Sequence, residues 1–148
     1  MTDEEENRRL SVHRGPSADG LRIGHVNTTT LKPKITIIDS LLKKHCFDIF
    51  AITESNLQSK DRDEDISLEH FNLERFDRTN DGIGIGGPGG GVLCYIHKAV
   101  NYDKGSVTKS EGANNTQLLA ILLTSPVDLD LVIIYNPPKS RSDSQLEM

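Results

Sequence analysis

The sequence predicts an α+β fold, one βαβ unit followed by antiparallel strands. An alternating segment, an amphipathic stretch and a short apolar run follow one another between Leu21 and Glu54. That is the order of a parallel crossover. Further on, Val92–Ile96, Leu118–Leu123 and Leu131–Tyr135 are apolar runs of strand length. Between the last two lie Ser125, Pro126 and Asp128, which are turn residues.

Residues 1–20 hold Asp3, Glu4, Glu5, Glu6 and Asp19 against Arg8, Arg9 and Arg14, with few apolar side chains, and read as a disordered acidic tail. Order is expected from Leu21. Leu21, Ile23, His25 and Asn27 alternate with Arg22, Gly24 and Val26, the period of a strand. Pro33 suits a first helical turn. Ile35, Ile38, Leu41, Leu42 and His45 then fall on one face of a helix, with Lys34, Lys43 and Lys44 largely off it. Ile49–Thr53 is a buried strand ending at Glu54. Parallel pairing brings Asn27 and Glu54 to the same edge of the sheet.

Residues 55–70 read as a solvated loop. Asp61, Arg62, Asp63, Glu64 and Asp65 lack the glycine and the ligand spacing of a calcium loop. Phe71–Arg78 reads as extended. Asp81–Gly91 contains GxGxxG from Gly82 and again from Gly84, but a strand follows it where a dinucleotide site needs a helix. It reads as a hairpin loop. Residues 139–148 carry no strong element.

The length of 148 residues allows one domain. With 17 Lys+Arg against 22 Asp+Glu, the net charge of −5 argues against coating nucleic acid by bulk charge. It leaves room for an enzyme that grips a few phosphates locally. Cys46 and Cys94 lie in apolar surroundings and read as small buried hydrophobes. His13, His25, His45, His70 and His97 lack zinc-ligand spacing. No apolar run approaches the ~20 residues of a membrane span, and no secretory signal opens the chain. The expectation is an intracellular, soluble protein that leaves its Asn-x-Thr patterns at Asn27 and Asn114 unglycosylated.

Three polar residues close strands: Asn27, Glu54 and Tyr135. Each alone is an ordinary turn, surface or half-buried residue. Together, "LRIGHVNTTTL", a helix, "FDIFAITES", "GGGVLCYIHKAV" and "LVIIYNPP" recur in the order seen in the endonuclease/exonuclease/phosphatase (DNase I-like) superfamily. Over about residues 21–138 the sequence resembles the endonuclease domains of non-LTR (LINE-type) retrotransposons above all.

The resemblance implies a partial four-layer α/β/β/α sandwich with Mg²⁺ or Mn²⁺ at the strand ends. Glu54 matches the family's metal-binding glutamate, a hard oxygen ligand. Asn27 matches the asparagine that closes the first strand, a second metal-site residue able to orient water or a phosphate oxygen. Tyr135 matches the tyrosine whose hydroxyl donates to the scissile phosphate. These three form the expected catalytic set. The implied reaction is DNA nicking by activated water, in a parent fused to a reverse transcriptase and nuclear rather than cytoplasmic.

The family's later Asp-x-Asn and Ser-Asp-His motifs have no counterpart here, Asp143 being the sole aspartate after Tyr135. Thr29 stands where apurinic endonucleases place an acid. The chain therefore reads as the N-terminal part of such a domain, a gene fragment or truncated gene model with little activity alone. An uncovered apolar sheet face and an open sheet edge are the expected consequences. Another superfamily phosphatase or deadenylase is the alternative within the fold. A non-catalytic phosphate- or DNA-interaction module is the alternative outside enzymes.

Overall fold

The computed structural model describes residues 13–78 and 90–138. The first sheet is built around two strands that are apolar at nearly every position, β2 (Ile49–Thr53) and β4 (Val92–His97). Both are buried along their whole length, so each face of the sheet needs a covering layer. β1 (Ile23–Asn27) pairs parallel to β2, β4 pairs antiparallel to β2, and β3 (Phe71–Phe76) closes the order β1-β2-β4-β3. The βαβ unit and the hairpin pairing of β3 with β4 agree with the sequence pattern. Most of the Gly-rich segment, residues 81–89, lies outside the described residues.

Alternation sorts the side chains of β2 and β4 onto two cores. Phe50, Ile52, Leu93 and Tyr95 face α1 (Ile35–His45), which contributes Ile38 and Leu42. Leu31, Leu57, Ile66 and Leu68 complete that layer. Ile49, Ala51, Val92, Cys94 and Ile96 face the second sheet. The helix ends where Cys46 turns left-handed at φ 52°, its N–H reaching the carbonyls of Leu42 and Lys43. Cys46 is thus a half-buried helix terminus, not the buried hydrophobe expected; Cys94 is buried. His45 also departs from expectation: it lies on the exposed side of the last turn.

The second sheet is organised by β7 (Gln117–Ser125). β8 (Leu129–Tyr135) lies along one side, and β5 (Asn101–Tyr102) and β6 (Thr108–Glu111) lie in succession along the other. β5 and β6 escape a periodicity reading because they are short and polar; every residue of β6 is exposed. Leu119, Ile121, Leu123, Ile133 and Tyr135 point inward onto the first sheet. The first sheet's inner face is therefore covered, contrary to expectation. Four exposed apolar side chains lie on the outer side of β7 and β8, at Leu122, Leu129, Val132 and Ile134, and Ile23, Ile37 and Val127 are exposed elsewhere among the described residues.

The segment read as a solvated loop, residues 55–70, is anchored. Asp61, 7% exposed, accepts from Lys32 Nζ at 2.7 Å and from Gln58 N at 2.8 Å. That ion pair holds the Asp61 carboxyl below its ordinary value. A single turn, α2 (Asp63–Ile66), follows and buries Ile66 beneath the Tyr95 hydroxyl, which donates to Ile66 O at 2.6 Å.

Order also begins before Leu21. His13 Nε2 lies 2.8 Å from the buried Asp48 carboxylate, whose other oxygen accepts from Arg22 N at 2.7 Å. The expected tail is thus tied down from His13, and residues 1–12 lie outside the described part. No described helix is long and apolar enough to cross a membrane.

His97 makes this anchor pH-sensitive. Its Nε2 donates to His13 O at 2.8 Å, while its Nδ1 accepts from Ala99 N at 3.0 Å. Only the neutral ring satisfies both bonds. Burial first of all pushes the imidazole below its ordinary 6.5. The unfolded chain therefore takes up this proton at higher pH than the folded chain does. The stabilisation is in place above 6.5 and is lost as pH falls through the folded value. The urea midpoint is expected to fall from about pH 7.5 to about pH 5. His97→Asn should flatten that decline; an equally steep decline in the variant would assign it elsewhere.

Candidate active site

β1 and β2 run parallel, so their C-terminal ends share one edge of the sheet. The register sets Asn27 beside Thr53, and Glu54 follows. Here the backbone turns sharply. Glu54 and Asn56 take φ of 53° and 54°, a left-handed conformation that costs a non-glycine residue roughly 1–2 kcal/mol. Neighbours on both sides hold it. Thr28 N donates to Thr53 O at 3.0 Å and Thr28 Oγ1 to Glu54 O at 3.1 Å. From the other side, Ser55 N donates to Gly91 O at 3.2 Å and Asn56 N to Gly90 O at 2.9 Å.

Tyr135 reaches this edge from the second sheet, as the last residue of β8. Its Oη donates to Glu54 Oε1 at 2.7 Å, joining residues 81 positions apart. Burial of the phenol, then the hydrogen bond and charge of Glu54, push its pKa up to about 12, with Arg78 opposing. At neutral pH Tyr135 is therefore a protonated donor aimed at a carboxylate.

Asn27 lies at the same edge but is exposed, and its Oδ1 accepts from Thr29 N at 3.2 Å within its own turn. The direct side-chain contact among the three expected residues is Glu54–Tyr135. Two further residues were not singled out from the sequence. Arg78, beyond the end of β3, acts electrostatically on Tyr135, and its Nε lies 2.8 Å from where a Cβ on Gly90 would sit. Gln117 opens β7 and is 1% exposed. A glutamine at the head of a strand carries no periodic signal, and an arginine among charged neighbours carries none either.

The donor set fits a hard divalent cation of the Mg²⁺ type. Such ions take one or two carboxylates and keep water and substrate phosphate as their other ligands. Glu54 offers one carboxylate at an open strand end. Among the described residues no three His, Cys, Asp or Glu side chains gather, so the closed cage of a structural zinc site is not formed. Glu54 and Asn27, the two residues the resemblance assigns to a metal, stand at this edge, Asn27 with its Oδ1 engaged by Thr29 N.

No family model matches the sequence, and no curated protein does. Solved structures do match. Truncated TDP2 of Caenorhabditis elegans superposes with a TM-score of 0.50 at 12% identity, over 78% of this chain and 43% of that one. An AP endonuclease of Archaeoglobus fulgidus superposes with a TM-score of 0.53 at 15% identity, over 78% of this chain and 40% of that one. The fold is that of the DNase I-like endonuclease/exonuclease/phosphatase proteins. The chain spans less than half the length of either DNase I-like neighbour. In this DNase I-like sandwich the described layers are α1, the first sheet and the second sheet, and Glu54–Tyr135 bridges the two sheets at one edge.

Proposed function

We propose that this strand-end cluster belongs to a Mg²⁺- or Mn²⁺-dependent phosphodiester hydrolase acting on DNA. The finer reading is a nicking endonuclease of the retrotransposon type, nuclear, with a reverse transcriptase in the intact parent. The observation that carries the proposal is the Glu54–Tyr135 hydrogen bond, 2.7 Å long and made across two sheets. It sets a hard anionic ligand beside a neutral proton donor, the two groups needed to receive a phosphodiester. The AP endonuclease among the structural neighbours adds support, since its name is that of a nuclease.

When bound, a divalent cation would neutralise charge on a phosphoryl oxygen. Glu54 would hold that cation and Asn27 would orient water or a phosphate oxygen beside it. Tyr135 would donate its hydroxyl proton to a phosphoryl oxygen as charge builds there. Arg78 adds positive charge near Tyr135.

The test begins with cation binding, which needs no turnover. Mn²⁺ titrated into the full 148-residue chain, read by electron paramagnetic resonance, should bind, and Glu54→Ala should weaken it at least about tenfold. Equal affinity in chain and variant would remove Glu54 from the metal site. Cleavage is then read as relaxation of supercoiled plasmid by the full-length product of the natural transcript. Tyr135→Phe should slow it by roughly 10²-fold, as loss of one transition-state donor does. DNA binding that persists with no metal-dependent cutting would favour a non-catalytic interaction module.

A further inference from the structure

We propose that Gln117 is a positioning residue for the Glu54–Tyr135 pair, a buried amide that ties the turn carrying Glu54 to the strand position paired with Tyr135. The proposal rests on the reading of that pair as the functional centre, and it concerns how the pair is held.

Gln117 is 1% exposed and has both ends of its amide bonded. Its Oε1 accepts from Gly91 N at 2.7 Å, and its Nε2 donates to Phe76 O at 3.2 Å. One side chain of the second sheet is thus bonded to the end of β3 and the start of β4 in the first sheet. These are the places that deliver the site. Gly91 O and Gly90 O accept from Ser55 N and Asn56 N, the two amides that follow Glu54. In the second sheet, Gln117 is paired in register with Tyr135. From Gln117, one path therefore runs through Gly91 to the turn that carries Glu54, and another runs across the β7–β8 ladder to Tyr135. The two paths meet again at the 2.7 Å Oη–Oε1 bond.

The alternatives for that slot are poor. An apolar side chain would leave Gly91 N–H and Phe76 C=O without this partner, and a carboxylate could accept from Gly91 but not donate to Phe76 O. The tie also has no slack on the other side, because Ser55 is fully buried against Gly91.

The chain has three tyrosines, Tyr95, Tyr102 and Tyr135, so labelling their ring Cζ carbons gives three resonances sensitive to phenol hydrogen bonding. Tyr135→Phe assigns the relevant one, and Glu54→Ala gives its position when the bond is broken. In Gln117→Met the Tyr135 resonance is expected to move at least about half of the way to that position. Tyr95, bonded to Ile66 O, and Tyr102, bonded to Glu74, should stay in place. If Gln117→Met fails to fold, Gln117→Asn serves, keeping a polar amide too short to span both partners.

A melting temperature that falls while the Tyr135 resonance keeps its wild-type position would overturn the proposal, leaving Gln117 as a structural tie between sheets. All three resonances moving together would overturn it too, since the effect would then be general loosening. The readout uses neither metal nor DNA, so a failure of the hydrolase reading leaves this result standing on its own.

Discussion

Glu54→Ala is expected to lower metal-dependent phosphodiester cleavage by about 10³-fold or more in the full-length protein, with Kd for Mn²⁺ rising in parallel. The size follows from removing an anionic ligand together with the acceptor that orients Tyr135; losing a single preorganised group at a phosphoryl or acyl centre costs roughly 10²–10³, and groups that act as a unit are lost together. A second substitution separates chemistry from folding. Glu54 sits at φ 53°, where glycine is at ease and alanine is not. Glu54→Gly and Glu54→Ala lose the same carboxylate, so both should be equally inactive. The glycine variant should nonetheless be the more stable by about 1 kcal/mol in urea unfolding. If the two variants unfold at the same midpoint, the left-handed turn is not strained in the way its dihedral implies. If Glu54→Gly retains activity, the carboxylate is not part of the centre.

That strained glutamate was legible as a position but not as a geometry. The run Ile49–Thr53 is apolar throughout, so its strand and the place of Glu54 at its end follow from pattern alone. The same holds for β4, apolar at nearly every position, and for β1, α1, β7 and β8, whose alternating or helical patterning a solvent boundary imposes. β5 and β6 were illegible because they are short and polar, with every residue of β6 in solvent and Tyr102 of β5 the one side chain of the two strands packed on the core. Asp48 and Asp61 were illegible for the opposite reason. They are charged residues drawn inside by partners distant in sequence, His13 for one and Lys32 for the other. A local reading assigns any such residue to water.

The candidate site shows the same division. Parallel pairing of β1 and β2 brings Asn27 and Glu54 to one edge by topology, and topology is legible in a βαβ pattern. The contact of Glu54 with Tyr135 depends on how the second sheet packs on the first, and no spacing encodes it. Gln117 is the extreme case. Its role is defined by Gly91, Phe76 and Tyr135, none of which is near it in sequence.

Gly91→Ala should be among the most destabilising single substitutions in this region, by roughly 3 kcal/mol, which for a chain of this size lowers Tm by about 10 °C. Two costs combine. Gly91 has φ 90°, which an alanine adopts only with strain of roughly 1–2 kcal/mol. The new Cβ would also overlap Ser55 Oγ deep inside van der Waals contact, an overpacking cost of about 1–3 kcal/mol. Ser55 has no easy retreat, being fully buried, with its N–H held by Gly91 O. Its hydroxyl is also the buried side-chain polar atom that makes no hydrogen bond among the described residues. Ser55→Ala therefore removes an unsatisfied group and should stabilise the chain by about 1 kcal/mol. The double variant distinguishes the two costs. Removing the hydroxyl relieves the overlap but not the dihedral strain, so Gly91→Ala should cost about 1–2 kcal/mol less in the Ser55→Ala background. Strictly additive effects would mean that the overlap is absorbed by movement elsewhere. In that case Glu54, which precedes Ser55, should shift with it, and Mn²⁺ affinity would fall in Gly91→Ala and recover in the double variant.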